Sequence, residues 1–288
     1  MDKTKNIFHI NLNQKILYLL IFIFIFSGIV QAGVLVAPTS VILSETDRTG
    51  RMTIQNPTDK PKEISVRFAF GIPTSDSLGN VTVNIIDSSD TDHPRSAIEW
   101  VRAFPRKMVL APGATQVVRF VANPPRDLPD GEYWARIVVR SQESQANIPL
   151  SGESDKITTQ LNMVMETAIV LKYRTGDLVA KLDVTATEID RTDSTVSVTF
   201  DIANRGNTSY VGVLNCRLLD AANKELASRK LDFAIYEDLK RRIDLPLIHG
   251  KGPEPWHLEV AISTEGRKDI PPEELINGNI IEFSKVVD

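Results

Sequence analysis

A single cysteine, Cys216, stands among 288 residues. One thiol cannot close an internal disulfide, so packed cores alone must hold this fold. Its setting, Gly212-Val213-Leu214-Asn215-Cys216-Arg217-Leu218, alternates as a strand does. A free cysteine in such a run is expected in the core, and no basic neighbour marks it as a catalytic thiol. Histidine is scarce as well. His93, His249 and His257 are scattered, with no H-x-H or H-x-x-H spacing and no cysteine partner, which speaks against a metal site. Asp87, Asp90 and Asp92 lack the central glycine and closing glutamate of a calcium loop and read as a solvated acidic loop. G-x-S-x-G, G-x-G-x-x-G and P-loop motifs are all missing, so no catalytic constellation and no cofactor are expected. Positive charge is not in excess: the formal net charge is −4, which argues against a nucleic-acid partner.

Long apolar runs are also few. The longest, Ile16 to Phe26, has 11 residues, short of the roughly 20 needed to span a bilayer as a helix. Lys3, Lys5 and Lys15 precede it, and small and polar residues follow it to Val30-Gln31-Ala32. A charged start, an apolar centre and a small-residue ending make residues 1–32 a signal peptide, cut after Ala32. The exported chain then starts at Gly33, with no membrane span. It loses three of 33 basic residues and one of 37 acidic ones, leaving a net charge of −6.

What remains is dense in β signals. Val109 to Val139 reads strand, turn, strand, proline-rich crossing, strand. Ala111-Pro112-Gly113 is the turn, since proline presets one backbone angle and glycine permits the unusual one. Pro124-Pro125 and Leu128-Pro129-Asp130-Gly131 exclude helix from the crossing. Strand-like runs fall near 34–43, 50–55, 62–70, 80–86, 97–101, 107–110, 115–122, 131–140 and 158–173, then near 178–189, 194–204, 211–219, 225–233, 240–247, 255–264 and 279–286. Turn signals separate them, and seven or so per half is the immunoglobulin-like count. The expected fold is all-β, with two immunoglobulin-like sandwiches, residues 33–175 and 176–288, divided at Thr175-Gly176-Asp177. Ile72 to Ser96 reads as a mobile excursion with a small ribbon inside it. Pro271 to Leu275 reads as one helical turn.

The run Thr159 to Arg174 is too long for an ordinary strand of a small domain. Leu161, Met163 and Met165 should share one face, with Gln160, Asn162, Val164 and Glu166 on the other. Such a strand either buries its apolar row in its own core or offers it along an open edge to another chain. Open apolar edges are normally avoided, so keeping one suits strand donation. Periodicity alone leaves both readings open.

From Gly33 onward the chain resembles the periplasmic pilus-assembly chaperones, the PapD-like group. The matching pieces are Val36-Ala37-Pro38-Thr39-Ser40-Val41, Met52-Thr53-Ile54-Gln55-Asn56-Pro57, Leu110-Ala111-Pro112-Gly113 before Val118-Arg119-Phe120, Leu128 to Tyr133, and Leu171-Lys172-Tyr173-Arg174. In the second half, Asn204 to Gly212, Ala234-Ile235-Tyr236 and Arg241-Arg242 resemble the archaic branch. The resemblance implies a boomerang of two immunoglobulin-like sandwiches in the periplasm. It implies binding of pilin-like subunits, each missing its last strand, by donation of the chaperone's own long strand. Delivery to an outer-membrane usher would follow, and without a client the same strand could cap itself in a dimer. Leu161, Met163 and Met165 would be the donated residues.

The pattern departs from the family at one point. Its usual arginine and lysine, which together hold the subunit's terminal carboxylate, align with Ser40 and Val170. Arg136 and Lys172 are the candidates for a relocated anchor, against ordinary solvated charge. Glu132 and Arg174 match an interdomain pair that sets the angle of the two sandwiches, against a surface pair worth under roughly 1 kcal/mol. The alternative function is a two-domain adhesion or scaffold protein that kept the fold without strand donation.

Overall fold

The structure, a computed structural model, describes residues 33–87, 92–144, 163–247 and 252–287. Among them lie 19 strands and two short 3-10 turns, Ile98–Trp100 and Pro272–Glu274. The first half contains β1 (Leu35–Ala37), β2 (Ser40–Ser44), β3 (Thr49–Gln55), β4 (Lys62–Phe70), β5 (Pro73–Ser75) and β6 (Val81–Val83). It continues with β7 (Ile86–Asp87), β8 (Val101–Phe104), β9 (Lys107–Leu110), β10 (Thr115–Ala122), β11 (Gly131–Glu143) and β12 (Val164–Thr175). The second half contains β13 (Leu182–Arg191), β14 (Thr195–Asn204), β15 (Tyr210–Leu219), β16 (Glu225–Ile235), β17 (Leu239–Pro246), β18 (Trp256–Ser263) and β19 (Ile281–Val287).

These strands build two immunoglobulin-like sandwiches. In the first, a sheet ordered β1-β3-β10-β8 faces a sheet ordered β2-β12-β11-β4-β7, with β9 also on β4. In the second, β13-β14-β17 faces β16-β15-β18-β19. Each has its own core. Met52, Ile54, Val118, Phe120, Ile137 and Leu171 are buried in the first, and Val198, Phe200, Leu218, Trp256, Leu258 and Ile262 in the second. Cys216 is one of these core residues, and burial pushes its thiol up to about 12.

Side chains at turns explain why separate motif pieces go together. Asn56 is buried, and its amide donates to the carbonyls of Lys60, Leu110 and Ala111, fixing the end of β3 to the turn after β9. Gly113 takes φ +70 in that turn, a left-handed angle that glycine adopts freely. Asn204 repeats the arrangement in the second sandwich, donating to Thr208, Ile235 and Tyr236. Tyr133 donates its hydroxyl to Pro129 O at 2.8 Å, the tyrosine-corner bond of immunoglobulin-like folds.

Four expectations need correction. The run 80–86 is two short strands in different sheets: β6 pairs with β5, and β7 pairs with β4. The run 34–43 is two strands in different sheets: β1 pairs with β3, and after Pro38-Thr39 the chain crosses so that β2 pairs in parallel with β12. The run 97–101 is a 3-10 turn, and its strand starts only at Val101. The excursion after Ile72 is packed against the second sandwich. Its β5–β6 ribbon lies along β17, where Arg242 N donates to Gly79 O at 3.0 Å and Lys240 N to Ser75 Oγ at 2.8 Å. The expected signal peptide, Asp90 and the start of the long strand lie outside the described residues.

Candidate functional site: an open strand edge beside an interdomain cleft

β12 is paired unequally on its two sides. β11 runs antiparallel to it along its whole length, from Gly131↔Thr175 to Gln142↔Val164. β2 reaches it only from Val170 to Arg174. From Val164 to Ile169 the outer edge of β12 therefore has no strand partner among the described residues. Unpaired N–H and C=O groups along such an edge form a template for another strand.

Its side chains alternate as period two requires. Met163, Met165, Ile169, Leu171 and Tyr173 share one row, which runs from open to buried: Met163 is 58% exposed, Met165 half-buried, and Ile169, Leu171 and Tyr173 lie in the core. On the other face Val164 is 45% exposed, Glu166 and Ala168 are exposed, Val170 is half-buried and Lys172 buried. Met165 is covered in part by its own chain, since a Cβ on Gly33 would collide with its sulfur. Leu161 lies outside the described residues.

The even row leads into the cleft between the sandwiches. Ser40, Val170 and Arg136 are register partners across β2, β12 and β11, so the two positions that align with the family's usual basic pair stand side by side. Arg136 is one strand further along the same row. Its Nε donates to Gly71 O at 2.6 Å, and its guanidinium lies 5.9 Å from the centre of the Tyr236 ring. Ser40, Val170, Lys172, Arg174, Tyr236 and Arg267 are among the residues around a cavity of about 170 Å³.

Lys172 is engaged elsewhere. Its Nζ lies 3.1 Å from Glu132 Oε1 and donates to Ser209 Oγ at 2.5 Å. Glu132 is wholly buried, so the arithmetic of a surface pair does not apply to it. It accepts from Arg174 Nε at 2.9 Å, from Trp134 Nε1 at 2.8 Å and from Ser209 Oγ at 2.5 Å. Burial alone would raise its pKa. Lys172, Arg174, Ser209 and Trp134 outweigh that and hold the carboxyl at about 2. Ser209 belongs to the second sandwich, as does Glu274, whose carbonyl accepts from Arg174 Nη1 at 2.7 Å. The structure thus brings Glu132, Lys172 and Arg174 into one network across the two sandwiches and leaves Arg136 outside it.

Two residues of this site were missed in the sequence as contributors. Ser209 and Tyr236 belong to motif pieces, yet nothing in those pieces says what they touch. Tyr236 packs its ring edge-on to Trp134 at 4.9 Å and lies 5.3 Å from Lys172 Nζ. His93 stacks on Phe70 and hydrogen-bonds Glu237 at 2.8 Å, a further contact between the halves. Among the described residues no group of three or more His, Cys, Asp or Glu could hold a metal ion, and no helix is long and apolar enough to cross a membrane.

No protein-family model matches the chain, and no curated protein matches it. Among solved structures it is similar to the YadV chaperone, at 14% identity and a TM-score of 0.45, over 89% of this chain and 100% of that one. It is also similar to the chaperone–tip adhesion subunit pre-assembly complex from the archaic chaperone-usher Csu pili of Acinetobacter baumannii, at 11% identity and a TM-score of 0.42, over 87% of this chain and 98% of that one. A third is the Salmonella enterica SafA pilin in complex with the SafB chaperone, at 13% identity and a TM-score of 0.39, over 90% and 99%. The chain is thus similar, over nearly all its length, to solved chaperones of fimbriae and pili.

Proposed function

We propose that this chain is a periplasmic chaperone that holds pilin-like subunits on the open edge of β12 and delivers them to an outer-membrane usher. In this reading residues 1–32 are the signal peptide, and the exported chain divides into residues 33–175 and 176–288. One observation carries it: β12 is paired along its whole length on one side and only from Val170 to Arg174 on the other. A subunit lacking a strand could dock there by main-chain hydrogen bonds, with alternate side chains filling its groove. Each buried apolar side chain would contribute roughly 1.5–3 kcal/mol, so Leu161, Met163 and Met165 together would supply about 5–9 kcal/mol before ordering costs.

The subunit's terminal carboxylate needs a cation near the point where the edge meets the cleft. Arg136 suits that role better than Lys172, because Lys172 is already engaged by Glu132 and Ser209. A guanidinium also binds a carboxylate through two parallel bonds. Glu132 and Arg174, with Lys172, would set the angle between the sandwiches.

The test is capture of the small secreted β-rich subunits encoded beside this chain. The exported protein should co-purify with at least one of them, and Met163→Asp should weaken the complex at least tenfold. If no such subunit is held and Met163→Asp changes nothing, the proposal fails. The second reading, a scaffold without strand donation, is favoured by the uncharged Ser40 and Val170 and by the cover of Gly33 over Met165. It requires slow amide exchange along Leu161 to Met165 in the free protein, where an unoccupied edge would exchange fast.

A further inference from the structure

The second sandwich carries an arginine where its own strand period calls for an apolar residue. Along β17 the odd positions face the core, and Leu239, Ile243 and Leu245 are buried there. Arg241 falls in the same row, and its cross-strand partner Phe200 is fully buried. On β16, Arg229 shares the inward row, since its register partner is the core residue Cys216. β16 and β17 are edge strands of the two facing sheets. Two guanidinium groups therefore enter one mouth of the sandwich from opposite layers. Both line an open cavity of about 660 Å³, together with Leu231 and Ile243.

The described residues balance this pair only in part: the Arg229 charge is among the causes that lower the Asp244 pKa. Arg241 Nε is buried and has no hydrogen-bond partner there. Burial first, and the nearby Arg229 charge second, lower the Arg241 pKa. One carboxylate, Asp244, stands at the rim, and it is already held by Arg242 Nε at 2.9 Å and Ser197 Oγ at 2.7 Å. The lining so carries three arginines against one aspartate. A desolvated charge facing a like charge is unfavourable unless a counter-charge joins it. Buried donors without acceptors are rare in native folds, and an ion is one of the few explanations for them.

We propose that this mouth is an oxyanion site, in which Arg229 and Arg241 close from opposite sheets on one carboxylate or phosphoryl group. Arg241 Nε supplies the buried donor, and the planar guanidinium fork suits the paired oxygens of such a group. The site lies in the second sandwich and stands apart from the β12 edge, so it holds whether or not β12 binds a client.

The experiment uses the isotope-labelled exported chain and follows the Arg241 Nε–Hε resonance, assigned by its absence in Arg241→Leu. Inorganic phosphate and acetate are titrated separately in chloride buffer. A saturable shift is expected with at least one of them, and Arg229→Ser, which changes an exposed side chain, should abolish it. Arg241→Leu continues the apolar row. It should melt at least as high as the wild type in chloride and lose the saturable rise in Tm that the anion gives the wild type. A stronger response to acetate assigns a carboxylate source, and a stronger response to phosphate assigns a phosphoryl one. Inward charges on edge strands also deter unwanted strand pairing. If neither anion shifts the resonance saturably, and Tm responds equally in wild type and Arg241→Leu, as general salt exclusion would make it, the pair is only such a guard and the proposal is overturned.

Discussion

Glu132 accepts from Arg174, Trp134 and Ser209 and lies within ion-pair distance of Lys172 while wholly buried, so its worth is that of a buried network. Removing one partner of such a network leaves a desolvated charge behind. Glu132→Gln should therefore cost about 3–5 kcal/mol in urea unfolding at neutral pH. Acid should reveal the same group. Its folded pKa, about 2, lies below its ordinary value of 4.5. The stability it adds is thus fully present above about pH 4.5 and is lost as pH falls from there toward 2. Stability measured against pH should fall less steeply through that window in Glu132→Gln than in the wild type. An equal slope in both would show that Glu132 titrates normally. Arg136 makes the contrasting case: it is half-buried and outside the network. Arg136→Ala should reduce subunit capture about tenfold or more, as losing a charge-assisted bond of about 1.5–3 kcal/mol implies, with little change in Tm. An equal loss of Tm and capture would mark it as structural.

At the scale of the element, β12 is one strand with two environments. Val170 to Arg174 sit between two neighbours, and the first six residues have one. Hydrogen exchange should divide the strand near Val170, slow beyond it and faster before it on amides that point away from β11. Binding of a subunit should remove that difference. Uniform protection in the free protein would mean that the edge is already covered. The alternation of Met163, Met165, Ile169 and Leu171 was legible in the sequence, because side chains on a strand must alternate. The depth of the row was not. Ile169 and Met163 look alike in a period-two pattern, and only the opposing sheet makes one core and the other surface.

For the whole molecule, the β5–β6 ribbon matters as a strap between the halves. Gly79 has φ +80, and a Cβ there would lie 2.7 Å from Arg242 N, on the backbone that the ribbon docks against. Gly79→Val should undock the ribbon. Protease cleavage near the exposed Leu78 should speed up severalfold while the core unfolding transition moves little. Unchanged cleavage would show that the strap does not depend on this close approach. The Glu132 network and the His93–Glu237 contact join the same two halves, so undocking the ribbon alone should loosen their arrangement without separating them.

Local chemistry determined much of this protein. Alternating runs and proline-glycine turns laid out nearly every strand, and a lone cysteine in an alternating run had a place in the core. Asn56 and Asn204 stood out only through the family resemblance, and the structure shows their side chains fixing turns. Tertiary structure alone decided the rest: that the chain changes sheet after Pro38, that Lys172 is held by Glu132 while Arg136 is not, that the ribbon reaches the second sandwich, and that Arg229 and Arg241 face each other. The reason is physical. A period of two says which side chains share a face, but what covers that face is contributed by residues far away in the chain, often on the other sandwich.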